Sequence, residues 1–108
     1  MRLLTRAEEI VLLSVWRLQD DAYSVKIREQ IAKLTEKEWA FGAIFVTLDR
    51  LVKEKLVTSF LSEPTSERGG RRKRIYQVTQ GGLRAMVDIK EFEKTMWEDL
   101  PVIKLKRN

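Results

Sequence analysis

Apolar residues recur at helical spacing in three successive stretches, gather into two short β-prone segments, and return to helical spacing toward the C-terminus. The first stretch opens on Thr5-Arg6-Ala7-Glu8, whose capping-box spacing lets the hydroxyl and the carboxylate each satisfy a free backbone N–H. This predicts a helix from Thr5 to about Leu18. Ile10, Val11, Leu12, Leu13, Val15 and Trp16 cover more than one of its faces, which is more apolar surface than a single core accepts. A second burial surface is implied, and Met1 to Leu4 extends it toward a partner. Gln19-Asp20-Asp21 reads as a turn and Ala22-Tyr23 as a short extended segment. A second helix follows from Ser24 as N-cap to about Leu34, with Val25, Ile27, Ile31 and Leu34 roughly helix-spaced. Thr35 to Phe41 is a connection whose Trp39 and Phe41 rings are expected on the core.

The third helix is expected over about Gly42 to Lys55, with Ile44, Leu48, Leu51 and Val52 within about 100° of arc. Ala43, Val46, Thr47, Arg50 and Lys53 fall on the other side, beside Asp49 and Glu54, and form a face that a major groove can admit. Leu56 to Glu63 and Lys73 to Thr79 are strand candidates rich in β-branched and aromatic residues. Pro64 to Arg72 between them combines turn formers with arginines. The pair is a β-hairpin with a projecting tip able to order on a partner. The last helix begins near Gly81-Gly82 and runs to about Leu100, where Pro101 stops it. Leu83, Met86, Ile89, Phe92, Met96 and Leu100 form its long apolar stripe, for which a symmetry-related chain is the economical cover. A polar tail, Lys104 to Asn108, completes the chain. The organisation is therefore one unit over 1–79 and a terminal helix and tail over 80–108, mainly α with a β-hairpin (α+β).

Composition narrows the chemistry. The 108 residues suit a single domain, and there is neither cysteine nor histidine, so disulfides, thiolate nucleophiles, imidazole bases and the usual zinc sites are excluded. The sixteen acidic residues are scattered, mostly beside lysines or arginines, as on solvated faces. No enzyme activity and no cofactor are expected. The longest apolar run, Ile10-Val11-Leu12-Leu13, is far short of a membrane span, and the N-terminus carries no signal region, which leads to the expectation of a cytoplasmic protein. Residues 68–74 carry five basic side chains and no acidic one, equal to the whole net charge of +5. Charge gathered on one short element is an electrostatic footprint for a polyanion.

Three helices, a hairpin with a basic tip and a terminal amphipathic helix follow in winged helix-turn-helix order. At this point the chain resembles the PadR family of bacterial regulators over nearly its whole length. Leu4-Thr5-Arg6-Ala7-Glu8 and the apolar helix after it look like the family's opening, and Ala22-Tyr23-Ser24-Val25 is similar to its short strand before helix two. Gly42 to Leu51 resembles its recognition-helix signature, followed by Lys53-Glu54-Lys55-Leu56-Val57. Glu67 to Tyr76, Val78-Thr79 and Gly82 resemble its wing and the entry to its dimerisation helix. Phe45 stands where the family commonly has a tyrosine able to bond a DNA phosphate, and Lys55 replaces the glycine that usually ends the recognition helix.

The resemblance implies a homodimeric, sequence-specific regulator, a repressor, on double-stranded DNA. Its DNA-binding residues would be Ala43, Phe45, Val46, Thr47, Arg50 and Lys53 on the helix and Arg68, Gly69, Gly70, Arg71, Arg72 and Lys73 on the wing. Dimerisation would fall to Leu3, Leu4, Leu12, Leu83, Met86, Ile89, Phe92 and Met96. Trp16, Trp39 and Trp97 are expected in the core or an interface, and the family's flat aromatic effectors make a small aromatic molecule a candidate partner without an assigned site. Winged helices also serve as protein-docking modules, and an RNA-binding role is a third alternative. The basic wing favours nucleic acid, and the scarcity of exposed stacking aromatics on the sheet favours duplex DNA.

Overall fold

The capping box at Thr5 forms as its spacing requires. In the computed structural model, which describes residues 3–64 and 71–106, the Thr5 hydroxyl accepts from the Glu8 N–H at 3.1 Å. The Glu8 carboxylate accepts from the Thr5 N–H at 2.8 Å. Helix α1 then runs over Arg6–Leu18 and ends in a 3-10 turn, Gln19–Asp21, where the Gln19 side-chain amide donates to the Trp16 carbonyl. Ala22 is buried, and its carbonyl accepts from the Tyr76 N–H at 2.9 Å, tying the start of the second helix to the hairpin.

Helix α2 spans Ser24–Thr35, and its N-cap is Tyr23 rather than the expected Ser24. Tyr23 keeps extended backbone angles and its carbonyl accepts the Ile27 N–H, which makes Ser24 the first helical residue. Helix α3, Phe41–Lys53, starts one residue earlier and stops two residues earlier than expected. Its end is closed by Leu56 N–H on the Leu51 carbonyl and Lys55 N–H on the Val52 carbonyl, both at 3.0 Å, the paired bonds of a Schellman motif. The left-handed residue that this motif needs is Lys55, at φ 62°.

Strands β1, Val57–Leu61, and β2, Arg74–Val78, pair antiparallel with Val57 opposite Val78 and Leu61 opposite Arg74. Both are shorter than expected. Thr79 joins three elements: its N–H donates to the Leu56 carbonyl, its hydroxyl donates to the Lys55 carbonyl, and the same oxygen accepts from the Gly82 N–H as N-cap of α4. Gly82 is required by close approach, because a Cβ there would collide with the Leu56 carbonyl oxygen and lie 2.6 Å from Val78 Cγ1. Helix α4 covers Gln80–Trp97, ending short of the expected Leu100; Asp99 turns left-handed at φ 57° two residues before Pro101, and 98–106 leave the helix.

The core is made by Val11, Leu12 and Val15 of α1, Ala22, Ile27 and Ile31, Ile44, Leu48 and Leu51 of α3, and Val57 and Tyr76 of the hairpin. Two expectations about it change. Val52 is partly exposed, and Thr47 takes the fourth position of the α3 stripe, since 44, 47, 48 and 51 follow the i, i+3, i+4, i+7 pattern that 52 leaves. Trp39 packs on the core as expected, but Phe41 stands at the exposed start of α3.

Candidate nucleic-acid interface

Helix α3 turns its buried stripe to α1, α2 and β1 and leaves the rest of its circumference to solvent. Gly42, Val46, Asp49 and Lys53 lie along one outward ridge at i, i+4, i+7 and i+11, with Ala43 and Arg50 beside it. Val46 is 58 % exposed, and Val46, Asp49, Arg50 and Lys53 border a shallow concavity of about 290 Å³. Of the six residues expected to face DNA from this helix, Ala43, Phe45, Val46, Arg50 and Lys53 are exposed. Thr47 is the exception: it is 7 % exposed and its hydroxyl donates to the Ala43 carbonyl at 2.9 Å, which satisfies the group inside the helix and takes it off the outward face.

A cluster that the sequence did not disclose sits at the α3 N-terminus. The Arg28 guanidinium lies 4.5 Å from the centre of the Phe41 ring, its Nε donates to the Trp39 carbonyl at 2.7 Å, and Glu38 stands 3.6 Å from it. Phe41 in turn stacks on Phe45, with ring centres 6.3 Å apart. These partners come from α2, the connection and α3, so no periodicity marks them. Their one sequence signal is the pair of aromatics four residues apart on a helix face.

At the wing, Arg71 and Arg72 are exposed, while Arg68, Gly69 and Gly70 lie outside the described residues. Lys73 is placed differently from a free phosphate ligand. Its ammonium rests 4.1 Å from the centre of the Tyr23 ring, and its backbone is fixed by two bonds to Ser62, N–H to hydroxyl and carbonyl to N–H. It thus anchors the wing root to the segment before α2. Arg74 reaches across the hairpin to the Ser59 hydroxyl. Burial pushes the Tyr76 phenol above its ordinary value of 10.0, with the Arg74 cation opposing the rise and the Asp49 carboxylate adding to it.

A separate apolar surface runs between α1 and α4. One groove of about 320 Å³ is lined by Leu12, Leu13, Met86, Val87 and Ile89 with Glu9, Lys90 and Glu93 at its edges. A second, of about 300 Å³, continues it past Leu3, Leu4, Ile89, Phe92 and Met96. Leu83, Met86, Ile89 and Phe92 are half-buried, and Leu3 and Met96 are more than half exposed. Leu12 does not belong with them as an available contact: it is 0 % exposed, a core residue, and the neighbouring Leu13 and Trp16 present the outer surface of α1. Met1 lies outside the described residues. Trp97 is exposed at the end of α4. Among the described residues no group of acidic side chains could hold a metal ion, and no helix is long and apolar enough to cross a membrane.

Comparison with known proteins agrees with this arrangement. The model of the transcriptional regulator PadR-like family matches residues 12–88, from the middle of α1 through the wing and into α4. No curated protein matches. Among solved structures, the chain is similar to RosR of H. salinarum, with TM-score 0.71 and 24 % identity over 93 % of this chain and 83 % of that one. It is also similar to a PadR family transcription regulator from Clostridium difficile R20291, with TM-score 0.63 and 22 % identity over 81 % and 88 %. A PadR-like transcriptional regulator from Bacillus cereus gives 0.66 and 22 % over 82 % of each chain. At these identities the structural likeness speaks for the fold, and the family match carries the assignment.

Proposed function

The chain belongs to the PadR-like family and is a DNA-binding transcriptional regulator, not an enzyme, and from that premise we propose that it acts as a homodimeric repressor on a near-palindromic operator. In this reading residues 1–79 bind DNA, and 80–108, packed beside the outer side of α1, hold two copies together. Two α3 helices enter successive major grooves about 34–36 Å apart while the wings hold flanking phosphates. Arg50 and Lys53 on α3 and Arg71 and Arg72 on the wing supply the cationic contacts, and Lys73 sets the wing's position. Repression follows when the bound dimer occludes a promoter in the cytoplasm.

The observation that carries this reading is the division of the surface into two parts that share no residue. One is an outward α3 face bordered by Val46, Asp49, Arg50 and Lys53; the other is an apolar α1/α4 groove that the chain's own core leaves open. A regulator that reads a two-fold site needs both. Relief of repression requires an effector or modification with unequal affinity for two dimer arrangements.

Footprinting on the DNA upstream of its own gene, with light scattering of the same preparation, tests the proposal. The expected result is protection of two half-sites about one turn apart by a particle of twice 12.7 kDa. A monomer at micromolar concentration, or no protection, overturns it, and a salt-insensitive association with another protein would favour a docking role.

A further inference from the structure

The first half of α3 offers no free hydrogen-bonding side chain. Phe41, Gly42, Ala43, Ile44, Phe45 and Val46 have none by type, and the hydroxyl of Thr47 is buried and committed to the Ala43 carbonyl. In helix-turn-helix modules it is this N-terminal part of the recognition helix that meets base edges. The charged outward residues Asp49, Arg50 and Lys53 all belong to the second half. Within the major groove, the feature an apolar side chain can select is the C5-methyl group of thymine.

We infer that this chain reads its operator chiefly by apolar contact of Val46, Phe45 and Ala43 with thymine methyl groups, a specificity that rests on the proposed entry of α3 into the major groove. Val46 is the most exposed of the three, and it has clear access. A Cβ built at Gly42, one turn before it on the same ridge, would meet no atom within 4 Å. Phe45, 41 % exposed, is held for the purpose: it stacks on Phe41, which lies under the Arg28 guanidinium, itself fixed by the Trp39 carbonyl and Glu38. A ring restrained on one side presents a fixed apolar edge on the other, so little freedom is lost when DNA arrives. The same device distinguishes DNA from RNA, because uracil lacks the methyl group.

The test begins with an operator selected from random duplex DNA by the full-length protein. Thymines should recur at the steps under the first half of α3. Replacing the thymine at one such step by deoxyuridine in both half-sites removes only methyl groups. Affinity should fall about 10-fold, from roughly three- to fourfold per methyl contact. At the same step, 5-methylcytosine should bind more tightly than cytosine. Val46→Ser or Phe45→Ser, which leave no apolar side chain there, should each erase the thymine-over-uracil preference at one step and keep it at others; both positions are exposed, so folding is not at issue. An operator bound equally with thymine or uracil at every step overturns the inference while leaving DNA binding intact. So does a preference that neither variant alters, which would free this apolar face for a protein partner. Failure to select any DNA overturns the operator reading as well.

Discussion

The outward face of α3 and the groove between α1 and α4 both expose apolar side chains, but with different continuity. On α3, Val46 and Phe45 stand near Asp49, Arg50 and Lys53; along α4 the apolar residues follow one another from Met86 to Met96 and extend onto Leu3, Leu4 and Leu13. Singly exposed apolar residues are ordinary on a folded protein, whereas a contiguous patch marks a surface that another molecule covers. The first surface is suited to transient cover by DNA and the second to lasting cover by a second chain. The two should therefore fail separately when each is damaged.

Damage to the α4 surface has the largest expected effect. Ile89→Asp with Phe92→Asp would place carboxylates in the proposed interface and remove two side chains whose burial stabilises by about 1.5–3 kcal/mol each. Light scattering should then give 12.7 kDa instead of twice that. Operator affinity should fall by about 100-fold or more, because the second half-site is no longer bound within one particle. Circular dichroism should still report a folded domain, since neither residue belongs to the core. A variant that remained dimeric would show that the α4 surface is not where the second chain binds.

The wing comes next. Arg71→Gln with Arg72→Gln removes four cations from a dimer, so the slope of log affinity against log salt should become shallower by about three to four, at about 0.9 per phosphate contact. The loss should be similar on operator and non-operator DNA, as phosphate contacts carry no sequence information. An unchanged slope would show that the exposed arginines do not touch DNA, and the dimer mass should not move.

What the sequence disclosed and what it hid divide along the range of the interactions. The Thr5–Glu8 capping box, the hairpin and the α4 stripe were legible because each depends on residues a few positions apart. The α3 stripe was misjudged by one member, since hydropathy places Val52 inside and Thr47 outside. Helix geometry does the reverse, and the Ala43 carbonyl makes the buried hydroxyl tolerable. Leu12 and Leu13 are chemically identical neighbours, and only the packing of α1 on α3 and the hairpin decides that Leu12 is core. The Arg28–Phe41 and Lys73–Tyr23 contacts join residues with no local relation, so no spacing rule could have indicated either, and only the Phe41–Phe45 pair, four residues apart, left a local signal.

Gly82 sits at the junction between the two surfaces, in the first turn of α4 against Leu56 and Val78. Gly82→Ala drives a methyl group against the Leu56 carbonyl and Val78, a backbone and a packed side chain that cannot easily yield. Overpacking of this kind costs about 1–3 kcal/mol. Thermal unfolding should show a midpoint lower by roughly 4–8 °C for each kcal/mol. Because α4 leaves the domain here, a change in operator affinity larger than the loss of folded protein would mean that the angle of α4 also sets the spacing of the recognition helices.

The smallest expected effect concerns Lys55, which holds the left-handed position that ends α3 and leads into β1. A non-glycine residue in that conformation costs roughly 1–2 kcal/mol, while a glycine there gives the unfolded chain extra entropy worth about 0.4–1 kcal/mol. Lys55→Gly should therefore stabilise by about 0.5–1 kcal/mol, read as a higher denaturant midpoint at constant slope. The Thr79 hydroxyl should keep its bond to the residue 55 carbonyl, since that bond uses only backbone. Lys55→Ala separates backbone from charge: it deletes the ammonium but keeps the Cβ, so it should gain none of the stability. If the alanine variant is stabilised as much as the glycine one, repulsion among neighbouring cations such as Lys53 governs this turn instead of its backbone. A gain confined to glycine, with dimer mass unchanged, would locate the strain on the DNA-facing scaffold alone and leave the α1/α4 surface independent of it.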